Sequence, residues 1–378
     1  MVRGDGGSGP MRIGLLAERI QRGFGMDRVL THLLQGLHEA GHETVTWVVH
    51  PDTLPHLPGE VRVLGIEQSR PYLAYETRAL RALKPWQGHG IEGWVVASLP
   101  FHSALPFVKN GVVLDFGLPS SENMEPQAKS DFAAMGWLQH QLCWGRAKGI
   151  LTLSDFLKNS LPISLRKKTT VLPLGGNLEG TMHSKEEARS LLGLPQKGVL
   201  PLWVGHVDFK GQPYKGVETL LRLGKILEQE VNHFLPLAVG QGPDLPYLQE
   251  AGWSVFESVD DDLLSTLYQA ADLVWSASTW EGFNLPLAEA QKWGCPVLAL
   301  SSGAHPEVVW DRQSGLLVGH KEGLREGFFQ VLEEKEMMGK AASKWGERFS
   351  WAEWRQEAAS WVGRILENET APIQVGRW

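Results

Sequence analysis

Cysteine is almost missing from this chain: Cys143 and Cys295 are the only two in 378 residues. Two thiols in separate apolar contexts cannot build a disulfide framework, so both read as buried and free, and redox chemistry has no foothold. No spacing of His and Cys suggests zinc. No uninterrupted apolar run is long enough to cross a bilayer, and no charged-then-apolar leader precedes the first strand, so the protein is expected in the cytoplasm. A dense basic surface is lacking too. Residues 1–180 carry 18 Lys and Arg against 16 Asp and Glu, while 181–378 carry 18 against 27. That balance excludes a nucleic-acid partner, whose phosphates need clustered cations. Short repeats and low-complexity tracts are also absent.

What is present alternates. Past a glycine-rich stretch at residues 1–10, read as a flexible leader, "MRIGLLAERI" gives an apolar strand and "QRGFGMDRV" a glycine-punctuated turn. Val29, Leu30, Leu33, Leu34 and Leu37 then recur at helical spacing until Gly41 stops them. Apolar strands "ETVTWVVH", "GWVVASL", "GVVLDFG" and "GILTLS" follow, separated by polar or helical segments. The pattern restarts after "KTTVLPLGGN" and runs through "GVLPLWVGH", "FLPLAVG", "DLVWSAS" and "CPVLAL". Strand–helix alternation builds a parallel sheet covered by helices, and a chain this long exceeds one ordinary core. Two Rossmann-like halves are therefore expected, at 11–178 and 179–350. A final helix and tail occupy 351–378, where Trp354, Ala358, Trp361 and Ile365 form one packing stripe.

The stretch "EGFNLPLAEA" sets Glu281 and Glu289 around an apolar run. Pro286 suits the first turn of a helix, Gly294 suits its end, and "DLVWSAS" before it is a buried strand. Glu281 is thus expected in the loop beyond a strand's carboxyl end, and Glu289 near the start of the next helix. Ligands of open α/β sheets bind at such edges, and helix N-termini offer free N–H groups to anions. Two carboxylates can accept from sugar hydroxyls on either side of a diphosphate, which describes a nucleotide-sugar. Glu289 complementing the helix dipole, with Glu281 merely solvated, is the competing reading.

"STWEGFNLPLAEAQKWGCPVLAL", then "GAHPEVV" and "SGLLV", resembles the signature of the retaining glycosyltransferases usually called family 4. "VGHVDFKGQPYKGVETLL", "LTLSDFLKNSL" and "FSWAEW" extend the likeness, closely in the C-terminal half and in outline in the N-terminal half. The resemblance implies an α/β protein of GT-B fold, with two Rossmann-like domains facing a central cleft and a C-terminal helix packing back toward the N-terminal domain. It implies an N-terminal acceptor-binding domain and a C-terminal nucleotide-sugar-binding domain. By the same likeness Glu281 would contact the donor sugar, Glu289 the ribose, and the backbone at Phe283, Asn284 and Leu285 the diphosphate. Lys215 would neutralise the phosphates, and Gly23 and Gly25 would let the N-terminal backbone approach the donor. Asp115 stands where many members have a His-Asp pair.

The sequence also departs from the family. His206 follows Gly205 where arginine is usual, leaving Lys210 or His206 to supply the second phosphate cation. Asn284 stands where glycine is commonest. Leu114 precedes Asp115, so His102 in "LPFHSALPF" is the nearest substitute histidine.

The activity implied is transfer of a hexose, with retention, from a nucleoside-diphosphate sugar to a hydroxyl of a sugar, lipid-linked or natural-product acceptor. No cofactor and no metal are expected, because side-chain cations and backbone donors stabilise the leaving phosphate. "DDD" at 260–262 resembles a metal motif but precedes a helix that acidic residues would cap. The segment "RPYLAYETRALRALKPW" places Arg78, Arg81 and Lys84 among Tyr75, Leu80, Leu83 and Trp86. It could dock peripherally on anionic lipid, or be a surface helix with a buried apolar side. A sugar-nucleotide epimerase on the same scaffold and a non-catalytic nucleotide-sugar binder are the alternative functions.

Overall fold

A computed structural model describes residues 9–21, 25–50, 56–68, 71–83, 90–97, 100–118 and 126–368. These form two compact units. One holds the residues up to 118 together with 126–173 and 351–368, and the other holds 174–350.

The first unit runs β1 (Arg12–Ala17), α1 (Gly25–Glu39), β2 (Glu43–Val48), β3 (Glu60–Val63), α2 (Tyr72–Leu83), β4 (Gly93–Val96), β5 (Gly111–Asp115), α3 (Pro126–Trp137), β6 (Ile150–Thr152), α4 (Asp155–Ser160), α5 (Ile163–Arg166) and β7 (Thr169–Val171). All seven strands pair in parallel in the order β3-β2-β1-β4-β5-β6-β7. Helical crossovers cover both faces of such a sheet, which is why β4 and β5 are buried along their whole length. The five apolar positions of α1 are all buried, and Gly41 ends the segment at φ +85°.

The second unit runs α6 (Lys185–Leu191), β8 (Pro201–His206), α7 (Val217–Glu230), β9 (Leu237–Gln241), α8 (Leu245–Glu250), β10 (Ser254–Phe256), α9 (Asp261–Ala270), β11 (Leu273–Ser276), α10 (Leu285–Lys292), β12 (Val297–Leu300), α11 (His305–Val308), β13 (Gly315–Val318) and α12 (Gly323–Gly346). Its parallel sheet is ordered β10-β9-β8-β11-β12-β13. Trp203, Trp253, Trp275 and Phe328 fill its core, with the Trp253 and Trp275 rings stacked 5.6 Å apart. Asp260 caps α9, its carboxylate accepting from the Leu263 N–H at 2.9 Å, as the acidic run before that helix suggested.

The chain leaves the second unit at α12 and completes the first with α13 (Trp351–Leu366). Trp354, Ala358 and Trp361 are buried there while Ile365 is half-buried, Trp361 Nε1 donates to Thr170 at 3.0 Å, and Trp351 stacks on His32 of α1 at 4.1 Å. On α2, Tyr75, Ala79 and Leu83 are core residues, so the apolar side proposed for lipid faces protein, and Arg78 and Arg81 are exposed. Lys84 and Trp86 lie outside the described residues. No helix among the described residues is long and apolar enough to cross a membrane. Cys143 and Cys295 are buried free thiols whose pKa values desolvation pushes up to about 11 and about 12.

Candidate functional site

In the second unit the strand order reverses between β8 and β11, so the loops leaving their carboxyl ends diverge. A crevice at such a switch point is where open α/β sheets take ligands. Lys215 follows β8 and Glu281 follows β11, and local stitching brings them together. Gly216 holds φ +66°, and a Cβ there would come within 2.1 Å of the Ala277 carbonyl oxygen, so only glycine fits this turn against the exit of β11. The Thr279 N–H donates to the Tyr214 carbonyl at 2.8 Å, and Ser278 Oγ to that of Lys215 at 3.3 Å. Lys215 Nζ consequently lies 2.9 and 3.2 Å from the two carboxylate oxygens of Glu281. Burial disfavours the Lys215 ammonium, yet the Glu281 carboxylate and Tyr214 together offset this and hold its pKa above the ordinary lysine value.

Helix α10 starts at Leu285, with Pro286 in its first turn and Asn284 as N-cap at φ +77°. Of its opening N–H groups, that of Leu287 donates to the Asn284 carbonyl at 3.2 Å, and the helix start carries a partial positive charge beside the ion pair. Phe283 is buried edge-on against Phe349 at 5.7 Å, and Leu285 is buried. Glu289 is the fifth residue of α10, buried, and accepts from the Tyr268 hydroxyl at 2.8 Å. His206 ends β8 half-buried, whereas Lys210 is exposed in a turn where Asp208 accepts from its backbone N–H.

The turn after β12 braces this loop, and no role was assigned to it from sequence. Gly303, at φ +56°, lies so close that a Cβ would meet the Glu281 backbone N and O at 2.6 Å each. The Ala304 N–H donates to the Glu281 carbonyl at 2.9 Å. His305, fully buried, contacts the Leu300 carbonyl through Nδ1 at 2.6 Å and Asn284 Nδ2 through Nε2 at 2.8 Å. The residues stood in plain view in "GAHPEVV", but nothing in the sequence says which loop they meet.

In the first unit, Gly23 lies outside the described residues, and Gly25 is the exposed first residue of α1. Asp115 ends β5, where Oδ1 accepts from the Gly117 N–H at 2.8 Å and Oδ2 from the Thr152 hydroxyl at 3.3 Å. Desolvation raises its pKa to about 6 against these two hydrogen bonds. His102 keeps different company: its Nδ1 meets Gln139 Nε2 and lies 3.6 Å from Glu76 Oε1. Burial lowers the His102 pKa to about 3 and raises that of Glu76 to about 7. Among the described residues the hydrogen bonds of Asp115 go to Gly117 and Thr152 and those of His102 to Gln139, with Glu76 beside it, so the expected His-Asp pair is not made. Among the described residues no group of three His, Cys, Asp or Glu is placed to hold a metal ion.

Residues 200–334 match the family described as glycosyl transferases group 1. This part of the chain is similar to the glycosyl transferases of group 1. It contains Lys215, Glu281, Asn284, Glu289 and His305. The D-inositol 3-phosphate glycosyltransferase of Corynebacterium diphtheriae is 30% identical over 205 residues, 48% of this chain and 47% of that protein. The chain thus spans about half the length of the curated relatives it matches. Among solved structures, sucrose-phosphate synthase from Thermosynechococcus elongatus superposes with a TM-score of 0.76 at 18% identity, covering 94% of this chain and 99% of that one. Anabaena HepE in complex with UDP-glucose gives 0.71 at 18% identity, covering 93% and 99%. These likenesses extend beyond residues 200–334 to both units, and the fold is that of the GT-B glycosyltransferases.

Proposed function

We propose that this protein is a retaining glycosyltransferase that moves a hexose from a nucleoside-diphosphate sugar to a hydroxyl acceptor without a metal. The observation that carries this reading is the Lys215–Glu281 pair at a sheet switch point, beside the start of α10. A diphosphate there meets an ammonium and a helix N-terminus, the two features that stabilise a leaving phosphate. In taking the phosphate, Lys215 releases Glu281 to accept from hydroxyls of the hexose. Glu289, turned from Tyr268 or shared with it, accepts from the ribose. The departing β-phosphate takes the acceptor proton on the same face, so no protein nucleophile is needed and the anomeric configuration is kept.

The acceptor is assigned to the first unit, with His102 and Asp115 as the candidate groups beside it. Burial keeps His102 neutral, so its unprotonated ring nitrogen can accept a hydrogen bond from a hydroxyl while the proton goes to the departing phosphate. The group 1 domain supports the transferase class, and the HepE complex supports a nucleotide-sugar as donor. The names of the curated relatives suggest a polyol phosphate as one acceptor to try.

The test starts with thermal shift against UDP, GDP, ADP and their sugars, since a ligand bound only by the folded state raises the melting temperature with occupancy. Release of nucleoside diphosphate is then measured with and without acceptors and chelator. Release that depends on an acceptor and resists chelator, with a product of the donor's anomeric configuration, is the expected result. An isomerised nucleotide-sugar of unchanged mass would instead identify an epimerase, and binding without turnover a non-catalytic binder.

A further inference from the structure

We infer that His305 is a positioning residue for the donor site, holding Asn284 in its left-handed conformation and thereby fixing the N-terminus of α10. The inference rests on the donor reading above and adds to it a residue that touches no substrate.

The hydrogen-bond chemistry admits one arrangement. A carbonyl oxygen can only accept, so the 2.6 Å contact with Leu300 requires the proton on His305 Nδ1. Nε2 then carries the lone pair and accepts from Asn284 Nδ2 at 2.8 Å. The ring is fully buried, and desolvation lowers its pKa, which favours this neutral tautomer. Asn284 sits at φ +77°, ψ +75°, where a Cβ is unfavourable, and its side chain makes no cap to its own helix. Its amide is committed to His305 instead. The same turn accepts no slack elsewhere: Gly303 lies against the Glu281 backbone and the Ala304 N–H holds the Glu281 carbonyl. One turn after β12 therefore fixes both ends of the 281–284 loop, setting the carboxylate at one end and the helix start at the other.

A double-mutant cycle tests this, using His305→Leu with Asn284→Gly as the second change. Glycine adopts positive φ without help, so it removes the need for the histidine. The ligand is whichever of UDP, GDP and ADP most raises the wild-type melting temperature. His305→Leu is expected to weaken its binding about tenfold in the wild-type background, and under about threefold in the Asn284→Gly background. Loss of the Leu300 contact is common to both backgrounds and cancels. If His305→Leu does not fold, His305→Asn keeps a donor for the Leu300 carbonyl and loses only the acceptor for Asn284. Equal losses in the two backgrounds overturn the inference, as does coupling in urea midpoints without coupling in nucleotide affinity. A wild-type protein that binds none of the three nucleotides refutes the donor reading itself; the absence of any 284–305 coupling in urea midpoints would then refute the pairing as well.

Discussion

In the second unit, Asp272 is flanked by Lys185 Nζ at 3.0 Å, Arg189 Nη2 at 2.8 Å and Lys335 Nζ at 2.9 Å, and Glu281 by Lys215. In the first, Glu76 and Asp115 are as deeply buried, but their hydrogen bonds come from the Ser103 and Thr152 hydroxyls and from backbone N–H groups. The titration follows the company. Lys185, the Leu200 N–H and Lys335 together hold Asp272 below the ordinary carboxylate range despite its burial, whereas desolvation lifts Glu76 to about 7 and Asp115 to about 6. Two related sheets thus hold buried carboxylates in different electrostatic company. Cations fix the geometry around Asp272 and Glu281, while Glu76 and Asp115 are left near the pH at which they can exchange a proton.

The contrast is broken most strongly at the paired site. Glu281→Gln and Lys215→Ala should each lower acceptor-dependent release of nucleoside diphosphate by on the order of a hundred- to a thousandfold, as removal of one charge-stabilising group does elsewhere. Circular dichroism should remain that of the folded protein. If the pair also competes with the ligand's phosphates, Glu281→Gln should bind free nucleoside diphosphate more tightly than wild type while turning over less. Calorimetry that finds weaker binding would show that Glu281 is no competitor.

Asp272→Asn should cost about 3 kcal/mol in urea denaturation, because it strands a buried guanidinium among uncompensated charges. An unchanged midpoint would mean that the three cations relax into water and that the pairing is decoration.

The unpaired carboxyls respond to pH. The folded pKa of Asp115 lies above its unfolded value, so the protonated form favours the fold: that contribution is whole below about pH 4 and lost as pH rises to about 6. Glu76 extends the window to about 7. Asp115→Asn should therefore gain on wild type by of the order of 2 kcal/mol between pH 4 and 6.5 in urea midpoints. A constant difference across that range would remove the distinction between the units. At the small end, Arg325→Ala breaks a bidentate pair with Glu230 at the surface of the second unit and should leave the melting temperature unchanged within error.

Legibility from sequence divided along a physical line. Local pattern predicted β1, β2, β4, β5 and β6 of the first sheet and β8, β9, β11 and β12 of the second, the start of α10 near Pro286, the capping role of Asp260 and the burial of both cysteines, because periodicity and turn chemistry act over a few residues. Lys215 and Glu281 were found by residue type within a recognisable motif. Their contact, 66 positions apart, was not written there, nor was the commitment of Tyr268 to Glu289. The α2 segment read two ways because an amphipathic helix presents the same pattern to lipid and to a core. Tyr75, Ala79 and Leu83 turn out to face the core.

The sequence by itself determined that two parallel sheets would form and which groups could meet a phosphate and sugar hydroxyls. Those facts depend on hydrophobic period and on functional-group chemistry, both local. Only the tertiary structure decided which carboxylate would meet which cation, why a side chain is tolerated at the left-handed position 284, and which carboxyls would stay unpaired. Coulomb energy, desolvation and hydrogen bonding depend on distances between residues far apart in the chain, and packing alone sets those distances.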